Sequence, residues 1–150
     1  MKRLFILCGV LVALGLPAIA VDDVVAARKA LMSSVGAAAG VSAGVMRGEI
    51  DYAPAIGLAA IAAINATATV YGDFFPEGSD GDERSTAAAA VWTDRAGFEA
   101  ELAKLQADAA AAREAAGREG PPDAEAFAAL IQPVLGTCRS CHEGYRVQNN

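Results

Sequence analysis

The stretch GTCRSCHEGYR, from Gly136 to Arg146, contains two of the three cysteines and the only histidine of the 150-residue chain. Cys138 and Cys141 stand three residues apart, and His142 follows directly. On a helix, residues at this spacing lie on one face, so both thiols would project in the same direction with the imidazole beside them. The chemically reactive side chains are therefore concentrated near the C-terminus.

The pattern C-x-x-C-H is the attachment motif of c-type haem, in which two thioethers hold the porphyrin and the histidine binds the iron. A disulfide or a thioredoxin-like dithiol would use the same thiols, although the thioredoxin fold needs strands that the sequence does not indicate. A structural zinc site needs four ligands, and no second C-x-x-C or H-x-x-x-H pattern completes the set. The motif predicts one haem c with its iron, covalently bound by Cys138 and Cys141 and ligated by His142.

The N-terminus has the pattern of a secretory signal peptide. Lys2 and Arg3 precede the apolar run LFILCGVLVALGL, and PAIA supplies a small-residue cleavage site ending at Ala20. An uncleaved membrane anchor is the alternative, but the run is short for a membrane span. We therefore predict a cleaved signal peptide over residues 1–20 and one domain over residues 21–150, exported to the periplasm.

The charge of the chain bears on its partners. Loss of Lys2 and Arg3 takes the formal net charge from −6 to −8. Such an acidic protein is a poor partner for nucleic acid or an anionic membrane surface, and we expect no stable membrane insertion after signal cleavage. Redox proteins with a basic docking surface are the expected partners. The small residues of GAAAGVSAG would allow close helix contact, so a monomer and a homodimer both stay open.

Four stretches have the residue spacing of amphipathic helices. Their predicted limits are Asp22 or Asp23 to Gly48, Pro54 to the loop FFPEGSDGDERS, Thr93 or Asp94 to Gly117 or Gly120, and Asp123 into the cysteine motif. Pro133 lies within the last stretch, where it is expected to kink the helix or to split it. Five aromatic residues are expected to serve packing and not chemistry: Phe74, Phe75, Trp92, Phe98 and Tyr145. The predicted fold is all-α, an antiparallel four-helix bundle with the haem near the C-terminal helix.

The chain resembles the class II cytochromes c, the cytochrome c-prime family. The similarity lies in the position of CHEGYR near the C-terminus and, in the family's order, in AARKALM, RGEIDYAPA, FFPEGSDGDE, VWTDRAGFEAELAKL and LGTCRSCHEGYR. It extends over nearly the whole of the predicted mature chain. The resemblance implies a bundle in which the last helix carries the haem and the other helices enclose it.

The second axial ligand of the iron is left open by the motif. After signal cleavage only Met32 and Met46 remain as thioethers, and they lie about 21 Å apart along a helix, so at most one can reach the metal. The resemblance implies that Met32 is this ligand and that Arg28 lies at the haem propionates, as in the low-spin branch typified by cytochrome c-556. Met32 could instead fill the core, where we expect Met46, and Arg28 could be a solvated surface charge.

The resemblance also implies a role for Arg146 and a choice between two functions. Arg146 matches the family's basic residue near the proximal imidazole, where it could tune His142 or interact with the helix dipole. With Met32 and His142 both bound to iron, the protein would be an electron carrier and not an enzyme. With an open distal site, it would be a five-coordinate, high-spin protein that binds nitric oxide or carbon monoxide.

Overall fold

The computed structural model describes residues 23–147, so the predicted signal peptide lies outside the described residues. Within this range the chain forms helices and no named strand. The elements are α1 (Val24–Met46), α2 (Pro54–Val70), a 3₁₀ helix (Tyr71–Phe74), α3 (Ala90–Thr93), α4 (Arg95–Ala116) and α5 (Ala124–Tyr145). The all-α prediction is confirmed.

Capping residues account for the ends of the long helices. The carboxylates of Asp23, Asp94 and Asp123 each accept a hydrogen bond from the backbone N–H three residues later, at the starts of α1, α4 and α5. Pro54 occupies the first turn of α2, where its missing N–H costs no helical hydrogen bond. Gly117 ends α4 with φ of 60°. These are the limits that the sequence predicts.

The four long helices form the bundle. α1 packs against α2 and α5, and α4 packs against α2 and α5, so each helix has two neighbours and the ring is closed. The connections over residues 47–53 and 117–123 are short, which makes the helices that they join antiparallel. The predicted four-helix bundle is confirmed. The short helix α3 was not predicted; it leads directly into α4.

Two groups of buried side chains hold the bundle together. The first, the bundle core, draws on all four long helices and includes Val35, Ile61, Ile64, Leu105, Phe127 and Ile131. The second, the aromatic cluster, consists of Phe75, Val91, Phe98 and Leu102, with Tyr71, Trp92 and Tyr145 packed against it. Phe75, Trp92, Phe98 and Tyr145 therefore serve packing, as expected.

By length and composition, α1 and the segment Pro54–Phe74 would be apolar enough to cross a membrane. Core helices of water-soluble bundles have the same composition, and both segments contribute to the bundle core here, through Val35 in α1 and through Ile61 and Ile64 in α2.

The structure decides two expectations about particular residues. Of the two effects expected of Pro133, the split is wrong, because α5 is continuous from Ala124 to Tyr145, and the kink stays a prediction. Proline removes a single backbone hydrogen bond, and the neighbouring Ile131 and Val134 are fully buried, which holds the helix on both sides of it. Met46 is not a core residue: it is 37% exposed, since it is the last residue of α1 and Val45 takes the buried position there.

Candidate functional site

The cysteine motif lies on the last two turns of α5, where Cys138, Cys141 and His142 are half-buried. Both cysteines are free thiols, so the disulfide alternative is not adopted. Burial raises the pKa of both thiols, and the negative charge of Glu101 helps to raise that of Cys141 to about 11. Both groups are neutral at pH 7 in the absence of a bound metal. The zinc alternative lacks its ligands: within residues 23–147, no group of three or more His, Cys, Asp or Glu side chains is placed to hold a metal ion.

His142 and Arg146 lie close enough to interact electrostatically. Burial and, as the smaller cause, the positive charge of Arg146 lower the pKa of His142. The imidazole is therefore neutral at pH 7, the form that has a lone pair available for a metal. Arg146 directly follows α5, and its backbone forms an antiparallel bridge with Ala87.

Arg28 is a buried cation with spare hydrogen-bond donors. It is 4% exposed, so the surface-charge alternative is wrong. Its guanidinium carbon lies 4.8 Å from the ring centroid of Phe75 and 5.7 Å from that of Trp92, and its Nη2 donates to the carbonyl of Ser79 at 3.1 Å. Among the residues that the structure describes, Nε and Nη1 are buried without a hydrogen-bond partner. Two donor nitrogens without a partner, between aromatic walls, fit the carboxylate of a bound group, such as a haem propionate.

Tyr71 connects Arg28 with the motif, although nothing in the sequence singled it out. Its ring meets Phe75 edge-on at 5.1 Å between centroids. Burial raises the pKa of the phenol to about 12; Arg28 acts in the opposite direction, and Cys141 raises the pKa further. One phenol thus interacts with both the arginine of α1 and the second cysteine of α5. These groups therefore share one region of the bundle.

Met32 stands one turn after Arg28 on α1 and is half-buried. It packs against the bundle core, and Cys138 packs against the same core from α5. Met46 lies at the far end of α1 and is exposed. Of the two candidate thioethers, only Met32 is therefore on the side of α1 that faces the core.

The opposite side of the motif is joined to α4 by hydrogen bonds. Thr137, which is 1% exposed, donates to Asp108 Oδ2 at 2.5 Å and accepts from Lys104 Nζ at 2.6 Å. Lys104 Nζ also lies 2.7 Å from Asp108 Oδ2. Ser140, inside the motif, donates to Glu101 Oε2 at 2.7 Å. We call these five residues the polar seam. No pattern in the sequence indicates it, because each hydrogen bond between the two helices joins residues that are 29 or more positions apart in the chain.

Comparison with known proteins agrees with this arrangement. The family model described as cytochrome c′ matches residues 23–146. Cytochrome c′ of Rhodopseudomonas palustris is 32% identical over 133 residues, which cover 89% of this chain and 88% of that protein. Cytochrome c-556 of Agrobacterium tumefaciens is 31% identical over 121 residues, covering 81% and 94% of the two chains.

Solved structures give the same result. Cytochrome c′ from Rhodopseudomonas palustris superposes with a TM-score of 0.76 at 32% identity, over 85% of this chain and 98% of that one. The NMR-validated model of oxidised cytochrome c556 from the same organism superposes with a TM-score of 0.73 at 26% identity, over 85% and 98%. The resemblance and the predicted cofactor are confirmed: the chain belongs to the cytochrome c′ family, whose members bind one covalently attached haem c.

Proposed function

We propose that this protein is a periplasmic electron carrier, not an enzyme, in which His142 and Met32 are the two axial ligands of the haem iron. The observation that carries the proposal is the position of Met32, which packs against the same core as Cys138 and follows the buried Arg28 by one helical turn. The haem supplies reversible one-electron chemistry at its iron.

Each residue of the site has a separate task in this proposal. Cys138 and Cys141 hold the group covalently, so it is not lost when the oxidation state changes. Arg28 offers the N–H groups of its two unpaired nitrogens to a propionate, and Arg146 lies near the imidazole of His142. The thioether of Met32 is a soft ligand that raises the reduction potential and suits both oxidation states. A net charge of −8 after signal cleavage favours redox partners with a basic docking surface.

Gas binding is the second candidate function. The observation in its favour is that relatives named cytochrome c′ match this chain at the same level of identity as those named cytochrome c-556. In this case Met32 only fills space beside the core, and the iron is five-coordinate and open to nitric oxide or carbon monoxide.

The absorption spectrum of the exported protein tests the choice. It should be recorded in the ferric and ferrous states, the latter with and without carbon monoxide. Sharp ferrous α and β bands, a ferric methionine-to-iron charge-transfer band and little response to carbon monoxide are expected for the electron carrier. A broad high-spin ferrous spectrum that shifts at once with carbon monoxide would overturn the Met32 ligation and favour gas binding. Recovery of the haem protein from the periplasmic fraction tests the location.

A further inference from the structure

We propose that the polar seam between α4 and α5 sets the rotation of α5 about its own axis, and thereby positions the haem-binding side chains. Its members act through the cysteines and His142 and need not touch the haem, so they are positioning residues. The inference rests on membership of the haem-binding family. Of the measurements that test it, only the methionine-to-iron charge-transfer band depends on the proposed function.

The spacing of the seam residues matches that of the motif. On α4, Glu101, Lys104 and Asp108 are three and four residues apart and so lie on one face. On α5, Thr137 and Ser140 are also three apart, and each directly precedes a cysteine. Successive residues are about 100° apart around an α-helix. A hydrogen bond that fixes the direction of Thr137 or Ser140 therefore also fixes the direction of the cysteine that follows.

Apolar packing holds this part of α5 only through partly buried side chains, Cys138 against the bundle core and Tyr145 against the aromatic cluster. The buried residues of α5 are Phe127, Ile131, Val134 and Thr137, so within the described chain no residue of the helix after Thr137 is fully buried. Pro133, one turn before Thr137, also lacks the backbone N–H that would tie the two halves of the helix together. Hydrophobic contact is non-directional in any case, whereas hydrogen bonds have strict geometry. The Tyr145 hydroxyl at the end of α5 donates to Asp94 Oδ2 at 2.8 Å. The seam is the directional restraint that acts within the motif itself, at the residues directly before the two cysteines.

A small rotation of α5 about its axis moves the ends of its side chains by a large distance. Side-chain ends lie about 5–6 Å from the axis of an α-helix, so a rotation of about 10° moves them by about 1 Å. A metal ligand must be held within about 0.5 Å of its productive position. The Thr137–Asp108 hydrogen bond should matter most, because Thr137 is buried, whereas Ser140 is exposed and its bond to Glu101 competes with water.

The test compares Thr137→Val with Thr137→Ser in the exported haem protein. Valine keeps the shape and removes the hydroxyl, whereas serine keeps the hydroxyl and removes the methyl group. The readouts are the haem content per chain, the midpoint reduction potential and the bands of the ferric spectrum, including the methionine-to-iron charge-transfer band. We expect Thr137→Val to shift the potential and the bands and Thr137→Ser to match the wild type. Equal shifts in both variants would assign the effect to packing and overturn the proposal.

A second variant acts from the other helix, in case Thr137→Val yields no haem protein. Asp108→Ala removes the acceptor of the Thr137 hydroxyl on the surface of α4 and should reproduce the shift. The matched control is Glu99→Gln, which removes an exposed ion pair with Arg95, 2.7 Å long, from the same helix without involving α5. Wild-type potential and spectrum in Asp108→Ala, with full haem content, would overturn the proposal.

The two proposals fail in distinguishable ways. If the wild-type protein is itself high-spin and binds carbon monoxide, the ligation by Met32 is wrong, and the seam is still judged by the difference between variant and wild type. If the wild type shows the methionine band and the seam variants keep it unchanged, the seam proposal is wrong and the electron-carrier function stands.

Discussion

The guanidinium of Arg28 lies against the ring of Phe75, with 4.8 Å between the guanidinium carbon and the ring centroid, and two of its nitrogens are buried without a hydrogen-bond partner among the described residues. Burial lowers the pKa of this arginine, which means that the charged form is disfavoured where it stands. An unpaired buried donor costs free energy unless a partner satisfies it. A bound carboxylate would provide that partner.

Replacing Arg28 by glutamine should lower the midpoint reduction potential, because loss of a nearby positive charge favours the more positive ferric state. The expected shift is on the order of tens of millivolts for one buried unit charge. The adjacent Lys29 is exposed on the same helix, so Lys29→Gln removes the same charge where water screens it and should have little effect. Redox titration of both variants checks this, and equal shifts would argue against a specific contact of Arg28.

Replacing Cys138 and Cys141 together by alanine should abolish covalent attachment of haem, because no other thiol lies within the described residues. The measurement is haem-linked absorbance that stays with the chain after denaturation and extraction. The wild-type protein serves as the reference. Haem still attached to the double variant would contradict the assignment of the motif.

Replacing Met32 by leucine should convert a low-spin haem into one that binds carbon monoxide readily, since leucine has a similar volume but no ligand atom. The substitution should cost less than about 1.5 kcal/mol of stability. Met46→Leu is the matched control, because Met46 belongs to the same helix but is 37% exposed. Its spectrum should be that of the wild type. An unchanged spectrum in Met32→Leu would make Met32 a packing residue.

Tyr71 should make the stability sensitive to alkaline pH. The pKa of its phenol is raised from 10.0 to about 12, mainly by burial, so the folded state favours the protonated form. The resulting stability is complete below about pH 10 and is lost as the pH rises from 10 towards 12, because the unfolded chain ionises first. Tyr71→Phe should therefore lose less stability than the wild type between pH 9 and pH 11, measured as the denaturant midpoint. Parallel declines in both proteins would refute this.

Much of the fold was predictable because its signals are local. Asp23, Asp94 and Asp123 cap helices through backbone groups three residues away, and each appears in the sequence as an acidic residue before an apolar periodic run. The short helix α3 had no such cap and was missed. Pro133 was expected to kink or to split α5, and it does not split it, because the burial of its neighbours outweighs the loss of one hydrogen bond.

The sequence by itself determined the haem-binding motif, because Cys138, Cys141 and His142 lie within five consecutive residues of a single helix and their spacing sets their relative directions. Only the tertiary structure decided that Arg28 is buried, that Tyr71 interacts with both Arg28 and Cys141, and that Thr137 is joined to Asp108. These contacts cross between helices, with 51 residues separating Arg28 from Ser79 and 29 separating Thr137 from Asp108. Such contacts depend on how amphipathic helices pack, and helical periodicity specifies which face is buried but not which side chains meet there.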